Sequence, residues 1–204
     1  MSFIGISQRL LENTDYAEIR EALSLEWGEF FNKYLLGYLP LPLDYNIDFC
    51  RYIPSIKAVI LSGGNDLSML NQNPLCQMRD IYERKIIEVC MQYNIPLLGI
   101  CRGAQMIASY FHSHLQKVLC HIGEHNITEI STKRQFWVNS FHNYGIRVLG
   151  EELEALSLAE DESIESFRHR RLHLYGIMWH IERKGGMDGD NTFYQWKDSF
   201  KGEI

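Results

Sequence analysis

The chain has 204 residues with a formal net charge of −6, 46% hydrophobic and 23% charged residues. That is enough for one well-buried α/β domain spanning 1–204; it excludes a disordered tail and is too little for two ordinary domains. No Lys/Arg run exceeds two residues, so no nucleic-acid or anionic-membrane footprint is expected.

The start, Met1-Ser2-Phe3-Ile4-Gly5, lacks the basic segment and apolar stretch of a signal peptide, and no run approaches the roughly 18 apolar residues of a membrane span. Five cysteines, Cys50, Cys76, Cys90, Cys101 and Cys120, form an odd set without a CxxC pair. This argues against a disulfide framework or a cysteine zinc site and for a cytoplasmic protein.

Phe3-Ile4-Gly5-Ile6 reads as a first strand. From Asp15 to Leu36 the residues Ile19, Leu23, Leu25, Trp27, Phe30, Phe31 and Tyr34 are spaced like a helix with one buried face. Tyr38 to Leu43 reads as a second strand that its prolines place near an edge or make short. Ala58-Val59-Ile60-Leu61 is a buried strand ending in a Ser62-Gly63-Gly64 turn. Asp80 to Tyr93 is helical by periodicity, with Ile81, Ile86, Ile87 and Val89 apolar. Pro96 to Ile100 is the next strand, followed at once by a helix containing Ala104, Met106, Ile107 and Phe111. Such alternation predicts a mostly parallel sheet with helices on both faces. Beyond about residue 120 shorter β-like pieces follow, at Phe136 to Val138, Leu153 to Leu158, Ile164 to Phe167 and Leu174 to Trp179. Asp190 to Phe200 forms a last helix.

The chemistry concentrates in two segments. In Gly99-Ile100-Cys101-Arg102-Gly103-Ala104-Gln105 a thiol lies between a buried strand and a helix, with glycines two positions to either side. This is the spacing of a nucleophile elbow, in which small neighbours permit a sharp turn that lifts the side chain out of the sheet. The helix N-terminus favours thiolate, and the N–H groups after the nucleophile are placed to hold an oxyanion. A thiol buried as a small hydrophobe is the competing reading, which the flanking glycines disfavour. In Gly176-Ile177-Met178-Trp179-His180-Ile181-Glu182 a histidine ends a late strand, with a carboxylate two residues on to orient it. His112, His114, His121, His125, His142, His169 and His173 compete as bases, and the pairing of a nucleophile with a His-x-Glu decides for His180.

These two segments, with Ser62-Gly63-Gly64-Asn65-Asp66, resemble the motifs of class I glutamine amidotransferases and their γ-glutamyl hydrolase relatives. Arg79-Asp80 and Asn139-Ser140-Phe141-His142 resemble the free-standing γ-glutamyl hydrolases, and the likeness runs from about residue 3 to 183. It implies a three-layer, flavodoxin-like α/β fold, with Cys101 as nucleophile, His180 as base and then acid, and Glu182 as the orienting carboxylate. Gly63 and Gly64 would form the oxyanion turn, with Gly64 supplying an N–H. Arg102 would add its own N–H and its charge toward the oxyanion or leaving group. Gln105, Ser140, Phe141 and His142 would lie beside the glutamyl group. Two positions depart from the pattern: Ile181 replaces a usual proline, and His112-Ser113-His114 stands where relatives often have small residues.

No cofactor and no metal are expected. Among His112, His114, His121 and His125 only the last two have a helical His-x₃-His spacing, and Gly123 between them makes a helix doubtful. These side chains are therefore placed on a surface or substrate-side loop, where His121 and His125 could still shape the pocket. No Gly-Lys-Ser/Thr follows Gly64 and no GxGxxG is present, which disfavours a nucleotide-phosphate cradle. The aromatics Trp27, Phe30, Phe31 and Tyr34 read as core packing.

The resemblance implies a small-molecule γ-glutamyl conjugate as partner. Within the family, the opening Ile4-Gly5-Ile6-Ser7-Gln8-Arg9-Leu10 and the segment Gly176 to His180 are most similar to γ-glutamyl-CDP-amidate hydrolases of capsule phosphoramidate synthesis. A γ-glutamyl-γ-aminobutyrate-type hydrolase is the alternative, as is a glutaminase subunit feeding ammonia to a synthetase partner. A non-catalytic relative is disfavoured by the intact triad, and a homodimer is left open.

Overall fold

The computed structural model describes residues 2–119, 121–189 and 191–201; Met1, Cys120 and Asp190, on which sequence expectations fell, lie outside the described residues. In chain order the strands are β1 (Ser2–Ser7), β2 (Arg9–Glu12), β3 (Ile19–Ala22), β4 (Tyr38–Leu43), β5 (Ile56–Leu61), β6 (Leu97–Ile100), β7 (His114–Lys117), β8 (Ile122–Glu129), β9 (Gln135–Phe141), β10 (Tyr144–Val148), β11 (Leu153–Ala159), β12 (Ile164–His169) and β13 (Leu174–Ile177). The helices are α1 (Glu26–Tyr34), α2 (Pro74–Tyr93), α3 (Arg102–Tyr110) and α4 (Thr192–Asp198).

A parallel block in the order β4-β1-β5-β6-β13 forms the centre of the sheet. It continues through antiparallel β12, β11, β8 and β9, and β10 and β7 branch from β12. Because alternate strand residues face opposite sides, Ala58 and Ile60 join one core with Trp27, Phe30, Phe31, Phe193 and Trp196. Val59 and Leu61 join the other with Ile86, Ile87, Ala104 and Ile107. Helices α1 and α4 thus cover one face and α2 and α3 the other. Strand β4 ends the sheet, where Pro40 and Pro42 cost least.

The expected long helix from Asp15 to Leu36 is replaced by an antiparallel β2–β3 hairpin and the short α1. Asn13 Oδ1 accepts from the Asp15 N–H at 3.1 Å and Asn13 N–H donates to Glu18 O at 2.9 Å, an Asx turn that closes the hairpin. Ile19 is 52% exposed and Leu25 93%, so neither belongs to an apolar stripe; that stripe is Trp27, Phe30 and Phe31. Helix α2 begins before the expected Asp80, since Asn73 caps it at Leu75 N (2.8 Å) ahead of Pro74 at the first turn. Ile81, 72% exposed, faces solvent instead of the core. The expected loop holding His114 and His125 is instead β7 and β8. His112 has φ 60°, the left-handed conformation that favours glycine. Among the described residues no helix is long and apolar enough to cross a membrane.

Candidate active site

The register places the C-terminal ends of three parallel strands side by side: Leu61 pairs Gly99 and Ile100 pairs Ile177. The Gly63-Gly64 turn, Cys101 and His180 therefore leave the sheet at one edge, where open parallel sheets bind ligands. Cys101 has φ 51° and ψ −106°, caps α3 and is 7% exposed; a non-glycine residue there is strained. Its N–H bonds Ile177 O at 2.7 Å and its carbonyl accepts from Gln105 N at 3.0 Å, so strand and helix hold the strain from both sides. The turn needs close backbone approach. A Cβ on Gly103 would lie 2.1 Å from Leu61 O.

His180 and Cys101 flank Gly63 together, and His180 Nδ1 lies 2.7 Å from Glu182 Oε1. Burial opposes charge on the ring, but Cys101 and Glu182 outweigh it and raise His180 from 6.5 to about 10. Asn139 on β9 grips the same residue: its Nδ2 donates to His180 O at 3.0 Å and its Oδ1 accepts from His180 N at 2.9 Å. A Cβ on Gly63 would come within 2.8 Å of His180 Cε1 and 3.6 Å of Cys101 Cβ, so this glycine borders both reacting groups. Ile181 is buried beside Trp179 in the core.

Arg79 orders the glycine turn. Its guanidinium donates to Ser62 O and Gly63 O, both at 3.1 Å, and pairs Glu83 at 2.8 Å. With the Gly63 carbonyl held there, the trans peptide points the Gly64 N–H away from the guanidinium. Glu83 also accepts from Ser7 Oγ (2.9 Å) and pairs Arg102, which pairs Asp80 as well. Arg79, Glu83 and Arg102 are essentially inaccessible, and burial lowers Arg102 from 12.5 to about 9. The expected contribution of the Arg102 charge to the oxyanion or leaving group is therefore corrected: its guanidinium is spent on Glu83 and Asp80, and only its N–H remains at the helix start.

The other expected residues divide. Phe141, 49% exposed, sets its ring edge-on to His180 with centroids 5.8 Å apart. Gln105 Nε2 donates to Tyr144 O at 2.8 Å, and the buried Ser140 hydroxyl donates to His121 O at 2.8 Å. His142 is turned inward, its Nδ1 3.1 Å from Tyr144 O and its Nε2 3.6 Å from Glu165. In this arrangement its ring nitrogens face Tyr144 O and Glu165. His121 and His125 likewise flank the fully buried Glu165. Burial alone would raise the Glu165 carboxyl, but His121, His125 and His142 prevail and hold it well below the usual carboxylate range.

Sequence reasoning missed Glu83, Asn139 and Glu165, and also the cleft wall. A cleft of about 250 Å³ is lined by Gly63, Gly64, His180, Trp27, Arg9 and Arg183. Arg9 comes from the hairpin, whose strands were not expected. Glu83 carried a readable signal in its i,i+4 spacing from Arg79, and Asn139 in its place at the head of the Asn139-to-His142 segment.

A strained thiol at a strand–helix elbow, backed by His and Glu at the carboxyl edge of a parallel sheet, defines a cysteine hydrolase of glutamine amidotransferase architecture. The chain belongs to the peptidase C26 family, whose profile matches residues 3–126 and 113–182. It is 53% identical over 195 residues to the γ-glutamyl-CDP-amidate hydrolase of Campylobacter jejuni, covering 95% of this chain and 96% of the relative. It is 26% identical to a glutamine-hydrolysing GMP synthase subunit of Methanococcus maripaludis, covering 63% of this chain and 66% of that one. A glutamine amidotransferase structure from Thermotoga maritima superposes with a TM-score of 0.67 at 18% identity, covering 98% of this chain and 82% of that one. One from Methylobacillus flagellatus gives 0.67 at 13%, covering 100% and 96%.

Glu83→Gln removes the shared partner of two buried guanidinium groups and should cost about 3–5 kcal/mol of stability; urea unfolding that shows a loss below about 1 kcal/mol would refute the network's importance. Glu182→Gln removes a contact that keeps His180 protonated. With His180 acting as the acid toward the leaving group, as the resemblance implies, kcat/KM should fall as pH rises through about 10 in the parent and at lower pH in the variant. Coincident alkaline limbs in the two pH profiles would disprove this coupling.

Proposed function

We propose that this protein hydrolyses the γ-glutamyl amide of γ-glutamyl-CDP-amidate, releasing glutamate and cytidine diphosphoramidate. The observation that carries the reading is His180 paired with Glu182 and flanking Gly63 together with Cys101, at the border of a cleft lined by Arg9 and Arg183. That cleft offers cations to a leaving group bearing a diphosphate, in a chain 53% identical to a hydrolase of that name.

In this mechanism the Cys101 thiolate attacks the γ-carbonyl carbon, forming a C–S bond and an oxyanion. The N–H groups of Gly64 and Arg102 receive the oxyanion. The imidazolium of His180 gives its proton to the leaving nitrogen as the C–N bond breaks, leaving a γ-glutamyl thioester. Neutral His180 then takes a proton from water, whose oxygen displaces the thiolate and frees glutamate. Glu182 keeps the Nδ1–H of His180 directed so that Nε2 does both transfers. Phe141 and Gln105, with backbone near Ser140, border the glutamyl end. No synthetase is needed for this cycle, which takes place in the cytoplasm.

The test is release of free glutamate from γ-glutamyl-CDP-amidate, γ-glutamyl-γ-aminobutyrate and glutamine. Turnover should favour the first and fall by at least about 10³-fold in Cys101→Ala, as loss of a covalent nucleophile requires. Preference for γ-glutamyl-γ-aminobutyrate would reassign the substrate, and release from glutamine only on adding a synthetase would establish the amidotransferase reading.

Arg9→Ala should raise KM for γ-glutamyl-CDP-amidate about tenfold, the loss of one charge-assisted contact, with kcat within about twofold. An unchanged KM would remove Arg9 from the leaving-group site.

A further inference from the structure

A second cluster of ligating side chains lies on the far strands of the sheet and takes no part in the hydrolysis. His121 precedes β8, His125 lies on β8, His142 follows β9 and Glu165 lies on β12. Glu165 is fully buried, His121 and His142 nearly so. Both Glu165 oxygens, His121 Nδ1, His125 Nε2 and His142 Nε2 are buried without a hydrogen-bond partner. Unpartnered buried polar atoms are costly, and here they all converge.

The spacing fits a cation better than direct hydrogen bonds. His121 Nδ1 lies 3.3 Å and His142 Nε2 3.6 Å from Glu165 Oε1, and His125 Nε2 lies 3.5 Å from Oε2. Charge-assisted N–H···O⁻ bonds are about 2.7–2.9 Å long. Ligand atoms about 2.0–2.1 Å from a tetrahedral ion are instead about 3.3–3.4 Å from one another. The ligand atoms of His121, His125 and Glu165 all lie within 4.8 Å of each other, and His142, outside that triangle, reaches it through Glu165 at 3.6 Å.

The outer contacts of His142 and His121 also match. Tyr144 O, 3.1 Å from His142 Nδ1, can only accept, so that nitrogen carries a proton, and in the neutral imidazole Nε2 presents a lone pair to Glu165. His121 Nε2 faces Asp161 Oδ2 at 3.4 Å and Ser163 Oγ at 3.5 Å, leaving Nδ1 toward Glu165. A lone pair aimed at a carboxylate is repulsive unless a cation stands between them. Metal-binding histidines are oriented in this way, by a carbonyl or carboxylate on the opposite nitrogen. An opening of about 160 Å³, lined by His121, His125 and Asp161, leads to the cluster.

We propose that His121, His125, His142 and Glu165 bind one zinc-type divalent ion. Three imidazoles and a carboxylate suit zinc, and this closed set makes it structural. The ion fastens β8 and β9 to β12. Strand β9 carries Asn139, which grips His180, and Glu165 O accepts from Met178 N at 2.8 Å just ahead of His180. The ion is therefore a brace behind the catalytic base. It is independent of which γ-glutamyl amide is cleaved.

The test is titration of the chelator-stripped full chain with Co²⁺. A tetrahedral visible band should saturate at one equivalent and disappear on adding Zn²⁺. His125→Ala should lose the band, while His114→Ala, on the neighbouring β7, should keep it. Zinc should raise the melting temperature of the parent and not that of Glu165→Gln. X-ray absorption of the zinc-loaded parent needs no variant and should show imidazole scattering from three ligands. Absence of the band, its survival in His125→Ala, or an oxygen-only shell would overturn the proposal and leave a cluster held by protons alone.

Discussion

The site depends on a buried ionic contact among Arg79, Glu83, Arg102 and Asp80. Taking such charges out of water is costly, and their mutual attraction offsets the cost only when each finds a partner. Here the cations and carboxylates balance, and Arg79 donates in addition to two backbone carbonyls of the glycine turn. One network therefore links α2, the start of α3 and the loop after β5. Loss of any member would disturb the distance between the turn and the thiol before it touched a reacting group.

The thiol is held against its own backbone preference. Cys101 sits at φ 51°, and the strain is maintained by the β6–β13 pairing on one side and the first turn of α3 on the other. The histidine is held equally firmly, by Glu182 at its ring and by Asn139 at its backbone. Residues from β6, β9 and β13 thus meet with little freedom left, which is how a rigid scaffold gives a reacting group its geometry. The metal-binding cluster extends the same logic outward, because it ties together the strands that present Asn139 and His180.

Much of the parallel block was legible. Short β-branched runs separated by periodic helices announce a covered parallel sheet, and the glycines around Cys101 announce a tight elbow. The His180–Glu182 pair was readable from its two-residue spacing. The hairpin at residues 9–22 was not, because Ile19, Leu23 and Leu25 mimic a helical stripe although Ile19 and Leu25 face solvent. Of the later strands, β9, β11, β12 and β13 were legible, whereas β7, β8 and β10 were not. Strand β8 mixes polar and apolar residues and is stabilised by β9 and β11, partners distant in sequence. Burial of the histidines follows from that pairing, so their spacing alone misplaced them on a loop.

The amino-acid order by itself singled out Cys101, His180 and Glu182, since each stands out by local spacing at the end of a strand. It also determined the layered α/β class, which follows from periodicity. Tertiary structure alone decided the use of Arg102 as a buried counter-ion, the contribution of Arg9 to the cleft, and the meeting of His121, His125 and His142 at Glu165. Those arrangements join segments far apart along the chain, and only long-range strand pairing and burial of charge bring them together.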